Sequence, residues 1–270
     1  MFSTIGFIGV GVMGEPMCRN LALKGKDKVQ AYDLDPAPLA RLASDGIQTA
    51  GSPAELCAEA HTILLSLPDG EKVRQLCLGE DGLIGNLAEG QCVIDAGTSP
   101  PQLARELHQA FNAKDVAFAD APVARTRQAA RDGTLSIMVG GDDAVFARIR
   151  PILDTMASDV THCGGPGAGQ TVKILNNMML FQNCAAIAEA LAIARRAGLD
   201  EELFLQTVGK SSGDSFALRN HATKVMLPRD YPEGIFSVRY ALKDLAYALD
   251  MAAAENIVAK GGELVREYLE

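Results

Sequence analysis

Lys173 stands in an almost unbroken apolar stretch, Val172 to Ala194, directly after the glycine-rich run Gly164 to Gly169 and one helical turn before Asn177. Residues four apart on an α-helix share a face, so an ammonium and a carboxamide would lie side by side. Desolvation lowers a lysine pKa and makes the amine a usable proton donor or acceptor near neutral pH. The competing reading is a lysine that lays its stem along an amphipathic helix and lifts its amine into water. What precedes the helix decides between them.

The segment Phe2 to Ile8 is rich in β-branched and aromatic residues and runs into Gly9-Val10-Gly11-Val12-Met13-Gly14, after which Glu15 to Lys24 has helical character. That is a strand, a tight glycine turn and a helix. The first two glycines permit unusual backbone angles and the approach of a pyrophosphate, and the third permits close packing of helix on strand. The helix N-terminus offers free N–H groups to an anion. The next apolar segment, Val29 to Asp33, ends in a carboxylate about 20 residues beyond the fingerprint, where it can accept hydrogen bonds from ribose hydroxyls and repel a 2′-phosphate. Asp33 therefore predicts NAD in preference to NADP, although Asp33-Leu34-Asp35-Pro36 is also a turn sequence.

Further strands are expected at Thr62 to Ser66, Cys92 to Asp95 and Ala117 to Asp120, separated by helices such as Glu71 to Leu78 and Pro101 to Ala113. This alternation implies a mostly parallel sheet. Ligands bind such sheets at the carboxyl ends of the strands, where Leu67-Pro68-Asp69, Gly97-Thr98-Ser99 and the segment after Asp120 fall. Thr98 has a second reading as an ordinary helix cap before Pro101. From Thr171 onward the pattern is helical: a long helix from about 168 to 197 ended by Gly198, then Asp200 to Val208, Ser215 to Lys224 and Phe236 to Glu255. The chain thus reads as α/β, with a Rossmann dinucleotide-binding domain over 1–164 and an all-α substrate and dimerisation domain over 165–270.

Composition narrows the function classes. The formal net charge of -9 leaves no basic footprint for nucleic acid. The six cysteines are scattered, without a Cys-x-x-Cys pair or a histidine at ligand spacing, and read as reduced thiols with no metal site. The apolar stretch carries Lys173, Gln182, Asn183 and Glu189, which argues for a buried helix over a membrane span. A strand directly after Met1 leaves no room for an export segment, so the expected place is the cytoplasm.

With these motifs the chain resembles the β-hydroxyacid dehydrogenase family, which includes 3-hydroxyisobutyrate, tartronate semialdehyde and sulfolactaldehyde dehydrogenases or reductases. The matching segments are Gly6 to Gly14, Leu65-Ser66-Leu67-Pro68, Asp95-Ala96-Gly97-Thr98, Asp120 to Val123 with Gly133-Thr134-Leu135, the Gly167-x-Gly169-x-x-x-Lys173-x-x-Asn176-Asn177 run, and Lys243-Asp244. The resemblance implies hydride transfer between a nicotinamide and a carbon bearing a hydroxyl beta to an acid group. It gives Lys173 the catalytic proton, Asn176 and Asn177 the substrate, and Gly9, Gly11, Val12, Met13, Gly14, Asp33, Leu67, Pro68, Thr98 and Lys243 the cofactor. It also implies a homodimer or homotetramer. Lys243 has a second reading as a solvated lysine on a polar face with Tyr247 and Asp250.

Three departures qualify the resemblance. Many members carry Ser-Gly-Gly after Asp-Ala-Pro-Val, whereas this chain reads Ala124-Arg125-Thr126. A guanidinium in place of a hydroxyl predicts a fork of donors for a carboxylate or sulfonate, similar to the Gly-Arg-Thr of sulfolactaldehyde reductases, so Arg125 and Thr126 are expected at a small acidic substrate. Gly97 stands where serine is common, and the sequence stops at Glu270, earlier than typical members, which suggests a missing terminal helix. Two other functions fit the glycine fingerprint: a non-catalytic dinucleotide-binding protein and an imine reductase-like enzyme.

Overall fold

The computed structural model describes residues 4–231 and 236–270. Phe2 and Ser3, the expected start of the first strand, lie outside them. Among the described residues there are nine strands: β1 (Thr4–Ile8), β2 (Lys28–Tyr32), β3 (Gln48–Thr49), β4 (Thr62–Leu65), β5 (Cys92–Asp95), β6 (Ala117–Asp120), β7 (Val123–Ala124), β8 (Leu135–Gly140) and β9 (Ala157–Gly164). The helices are α1 (Gly14–Lys24), α2 (Pro36–Ser44), α3 (Pro53–Glu59), α4 (Gly70–Leu78), α5 (Leu83–Asn86), α6 (Pro101–Asn112), α7 (Arg127–Asp132), α8 (Asp143–Leu153), α9 (Ala168–Arg196), α10 (Glu201–Val208), α11 (Val238–Ala254) and α12 (Lys260–Leu269), with a π-helical segment at Leu218–Met226.

The chain forms two compact units, Met1–Lys173 and Ile174–Glu270, which divide within α9. In the first, the sheet order is β3-β2-β1-β4-β5-β6-β8-β7, with β9 on β8. Strands β1 to β6 are parallel, and β8 runs antiparallel to β6 and β7. Parallel strands covered on both faces must be apolar throughout, which is why Thr62–Leu65 and Cys92–Asp95 are buried at every position. Alternation divides β1 between two cores: Phe7 packs with Met17, Leu21 and Leu64, and Ile8 with Leu56, Leu65 and Val73. Both cores lie against the sheet that must hold the loops steady.

In the second unit Leu191, Leu205, Leu218 and Ala222 make a smaller core. The expectation of a buried long helix is corrected here. Among the described residues α9 is the one helix long and apolar enough to cross a membrane, yet only 17% of its most apolar window is buried. Leu175, Met179 and Ile193 are exposed. Four of the six free cysteines are buried, and Cys163 and Cys184 are half-buried. Burial pushes the thiols of Cys57, Cys92 and Cys184 up to about 11, so none of these three is a ready nucleophile.

Candidate active site

The glycines of the first turn have different jobs. Gly9 has φ +92°, and a Cβ there would lie 2.4 Å from the Ser66 carbonyl oxygen. A Cβ on Gly14 would come 1.9 Å from the Gly9 carbonyl oxygen. Gly11 has nothing within 4 Å of that position. Two glycines are thus required by the fold, and the middle one leaves open space beside the first turn of α1, a cradle that fits a dinucleotide pyrophosphate. Val12 is exposed and Met13 half-buried on the rim of this space.

Asp33 follows β2 and closes on the same turn. Its Oδ2 accepts a 2.7 Å hydrogen bond from the Val10 N–H, and its Oδ1 accepts from the Asp35 N–H at 2.8 Å. A carboxylate has about four acceptor sites, so two backbone donors leave capacity for ribose hydroxyls. The turn reading and the ligand reading are therefore compatible at this residue.

The loops after β4 and β5 meet. Leu67 reaches a Gly9 Cβ position at 3.1 Å, and its carbonyl oxygen lies 3.0 Å from a Gly97 Cβ position. A Cβ at 97 would also press on Asp95 Oδ1, at 3.1 Å, so the close approach of the two loops favours glycine there. Pro68 is exposed and Thr98 half-buried. Asp69, the next residue of the Leu67-Pro68 turn, caps α4 by accepting from the Lys72 N–H at 2.8 Å.

Beneath this loop lies a buried polar network. Asp95 and Asp120 are register partners at the ends of β5 and β6, and neither is exposed. Asp95 accepts from the Gly97 N–H and the Ser99 hydroxyl, both at 2.9 Å. Asp120 accepts from the Gly167 N–H at 2.7 Å and the Gln170 N–H at 2.8 Å, and so caps the N-terminus of α9. Burial pushes the Asp120 carboxyl up to about 6, against the pull of its two backbone donors and with help from the Asp95 charge. Gln170 links the two halves: its Oε1 accepts from the Ser99 N–H at 3.0 Å and its Nε2 donates to the Gly97 carbonyl at 2.9 Å.

Lys173, half-buried, follows Gln170 on the first turns of α9. In the second unit Asn177 is buried and donates to Asp244 Oδ2 at 2.6 Å, while Asn176 is exposed and donates to Asn177 Oδ1 at 3.2 Å. Lys243 Nζ lies 3.1 Å from Asp244 Oδ1 and 5.2 Å from the centre of the Tyr247 ring, with the side chain 18% exposed. It is a paired and stacked lysine, not a solvated one.

Arg125 is the surprise. Its backbone has φ +85°, the left-handed conformation that favours glycine. Its Nη1 donates to the Thr134 carbonyl and the Ser158 hydroxyl, and its Nη2 to Asp159 Oδ2, each at 2.6 Å. The fork expected to meet a substrate acid group is engaged with β9. Thr126 caps α7, its hydroxyl oxygen accepting from the Ala129 N–H at 3.2 Å.

Asp95, Asp120, Ser99, Gln170 and Asp244 were not singled out by the sequence as functional. A signal was available: a carboxylate closing each of two all-apolar strands, and a glutamine in the first turn of an apolar helix, are polar groups whose burial demands partners.

A parallel sheet with a glycine turn at β1 and the loops of β4 and β5 gathered beside it defines a dinucleotide-binding domain of the Rossmann class. Residues 4–165 match the family described as NAD binding domain of 6-phosphogluconate dehydrogenase, and residues 167–270 that described as NAD-binding of NADP-dependent 3-hydroxyisobutyrate dehydrogenase. The chain is similar to 3-hydroxyisobutyrate dehydrogenase of Pseudomonas aeruginosa, 40% identical over 97% of this chain and 89% of that protein. It is 35% identical to 2-(hydroxymethyl)glutarate dehydrogenase of Eubacterium barkeri over 94% of this chain and 83% of that one. The structure of Mycobacterium tuberculosis 3-hydroxyisobutyrate dehydrogenase with L-serine superposes with a TM-score of 0.90 at 33% identity, covering 100% of this chain and 93% of the other. The protein belongs to the β-hydroxyacid dehydrogenase family, among the relatives of 3-hydroxyisobutyrate dehydrogenase, and is a dehydrogenase acting on hydroxyl groups.

Proposed function

We propose that the protein interconverts a small hydroxy acid and its aldehyde or semialdehyde with NAD(H), using Lys173 as the proton group. The observation that carries this reading is the direct bonding of the first turn of α9 to the loop bearing Thr98. It keeps Lys173 in register with a loop of the dinucleotide fold. The bound nicotinamide supplies or accepts the hydride. Lys173 donates a proton to the carbonyl oxygen in reduction and receives the hydroxyl proton in oxidation. Asn177, held by Asp244, orients the substrate oxygen from the same face of the helix, with Asn176 at its side.

Gly9, Gly11, Val12, Met13, Gly14, Asp33, Leu67, Pro68, Thr98 and Lys243 would hold the dinucleotide, with the glycine turn at its pyrophosphate and Asp33 at its ribose. The Asp33 carboxylate would repel a 2′-phosphate, which favours NAD over NADP even though the second matched domain is described from an NADP-dependent enzyme. The named relatives act on hydroxy acids, and the M. tuberculosis structure holds L-serine, which supports a small carboxylate substrate. Arg125 already uses three of its five N–H donors on Thr134, Ser158 and Asp159 and has its charge matched by that carboxylate, so it adds little in favour of a sulfonate such as sulfolactaldehyde, which takes second place to the carboxylates of the relatives. Thr126 stands beside it as a further contact.

The exposed apolar face of α9 is matched to a second copy of the chain: it is too apolar for a free surface of a cytoplasmic protein and has the length to bury a continuous helix pair. Light scattering at twice 28.6 kDa or a higher multiple is the expected result, and a monomer mass contradicts it.

The test of the activity is a turnover panel with NAD(H) and 3-hydroxyisobutyrate, L-serine, 2-(hydroxymethyl)glutarate, tartronate semialdehyde and sulfolactaldehyde. Lys173→Ala is expected to lower kcat by about 10²–10⁴-fold with NADH affinity kept. No turnover on any member of the panel, or a wild-type rate in that variant, sinks the reading.

A further inference from the structure

The best-connected group near Lys173 is a residue that touches neither cofactor nor substrate in the reading above. Gln170 is fully buried, and each polar atom of its side chain and its backbone N–H has a partner in the first unit. We propose that Gln170 is a positioning residue: by bridging Gly97 and Ser99 it fixes the 97–99 loop against the helical turn that carries Lys173.

Three observations support this. The side chain makes both of its bonds to the backbone of one loop, accepting from Ser99 and donating to Gly97, so it sets distance and orientation together. Thr98 is the residue between those two anchors. Both ends of the bridge are themselves braced, since Asp95 holds Gly97 and Ser99 from the strand below, and Asp120 holds the Gly167 and Gln170 N–H groups at the start of α9. Finally, Gln170 and Lys173 are spaced i and i+3, on one side of the helix. The bridge and the proton group therefore face the same way.

The space around the network is made for it. A Cβ on Gly140 would lie 2.5 Å from Asp120 Oδ1, and one on Gly169 would lie 2.4 Å from the Met138 carbonyl and 2.9 Å from Asp120 Oδ2. Glycines at these positions let the carboxylate sit under the helix end. A rigid base of this kind matters because misplacement of a reacting group by about 1 Å can cost on the order of 10²-fold in rate.

This inference rests on Lys173 as the proton group, and its test separates the two. Gln170→Met keeps the volume and removes both side-chain hydrogen bonds. The expected result is kcat lowered about 10- to 100-fold with substrate KM within about threefold, together with faster amide hydrogen exchange at 97–99. Gln170→Glu is the second variant. When ionised, the introduced carboxylate accepts from Ser99 but cannot donate to Gly97, whereas the protonated acid does both. The charged groups around this network are Asp120 on β6, which accepts from the Gln170 N–H, and Asp95 on β5, which accepts from Ser99, with Lys173 three residues on along the helix and Arg105 of α6 beside Gly167.

The two carboxylates favour the protonated form, so the kcat of the glutamate variant relative to wild type should rise as pH falls. A flat ratio, or a Gln170→Met protein with wild-type kcat and unchanged exchange at 97–99, overturns the proposal. Hydrogen exchange decides the bridge without turnover, so a wild type inactive on every substrate defeats the assigned activity and leaves the bridge to be judged by exchange alone.

Discussion

Asn177 donates to Asp244 at 2.6 Å and both side chains are buried, so the asparagine has one end fixed on α11. Its remaining oxygen meets Asn176. The carboxamide is not free to rotate, which is what a substrate-orienting group needs. Asp244→Ala should raise substrate KM more than it lowers kcat. It should also destabilise the fold by about 1–3 kcal/mol, because a buried donor loses its partner. Thermal melting and steady-state kinetics on one preparation check both, and an unchanged KM contradicts the orienting role.

Arg125 and Asp159 give a prediction in the opposite direction. The pair is exposed to solvent, so breaking it costs little stability. Ser158 and Arg125 both hold the Asp159 carboxyl below the usual range. If the guanidinium competes between Asp159 and a substrate anion, Asp159→Asn lowers KM for acidic substrates about 1.4- to fivefold. If the arginine only braces the loop, Asp159→Asn leaves KM unchanged or raises it. A set of KM values for the single and double variants with Arg125→Gly distinguishes the two.

Asp120 links pH to stability. Its folded carboxyl lies at about 6, above the ordinary 3.8, mainly because it is buried. The folded state thus holds this proton over a pH range where the unfolded chain has released it. Its contribution is complete below about 3.8 and is lost as pH rises through about 6. Urea midpoints measured across that window should show a downward trend with rising pH that Asp120→Asn removes. An equal slope in both proteins contradicts the assignment.

Asp33 bears on cofactor choice. A repulsion of about 1.4 kcal/mol toward a 2′-phosphate is worth about a factor of ten. The wild type should prefer NAD over NADP by at least about that ratio in kcat/KM, and Asp33→Ser should shrink it. The same substitution loses the bond to the Val10 N–H, so NAD affinity should fall as well. Equal efficiency with both cofactors in the wild type would show that Asp33 does not discriminate.

Much of this fold was legible because the parallel strands are short apolar runs ending in a polar residue, as in Cys92–Asp95 and Ala117–Asp120, and because Gly9 to Gly14 follows such a run. The family and its dehydrogenase chemistry followed from motifs of this kind. Strand β9 was missed since Ser158, Asp159 and Thr161 are exposed and leave no apolar pattern to read. Helix α12 was missed for another reason: Gly261 and Gly262 are poor helix formers, and Gly262 is tolerated because Leu249 would lie 3.1 Å from any Cβ there. The engagement of Arg125 by Asp159, 34 positions away in sequence, was invisible without the sheet pairing of β8 and β9.

The three fingerprint glycines also separate making the protein from using it. A methyl group at Gly14 has no room beside the Gly9 carbonyl, and one at Gly9 has none beside Ser66, so alanine at either position attacks folding. A methyl group at Gly11 meets nothing in the protein. Gly11→Ala should therefore give a normally folded chain that no longer takes up NADH. That single carbon provides a matched blank, against which every assay of this enzyme can be read with the scaffold held constant.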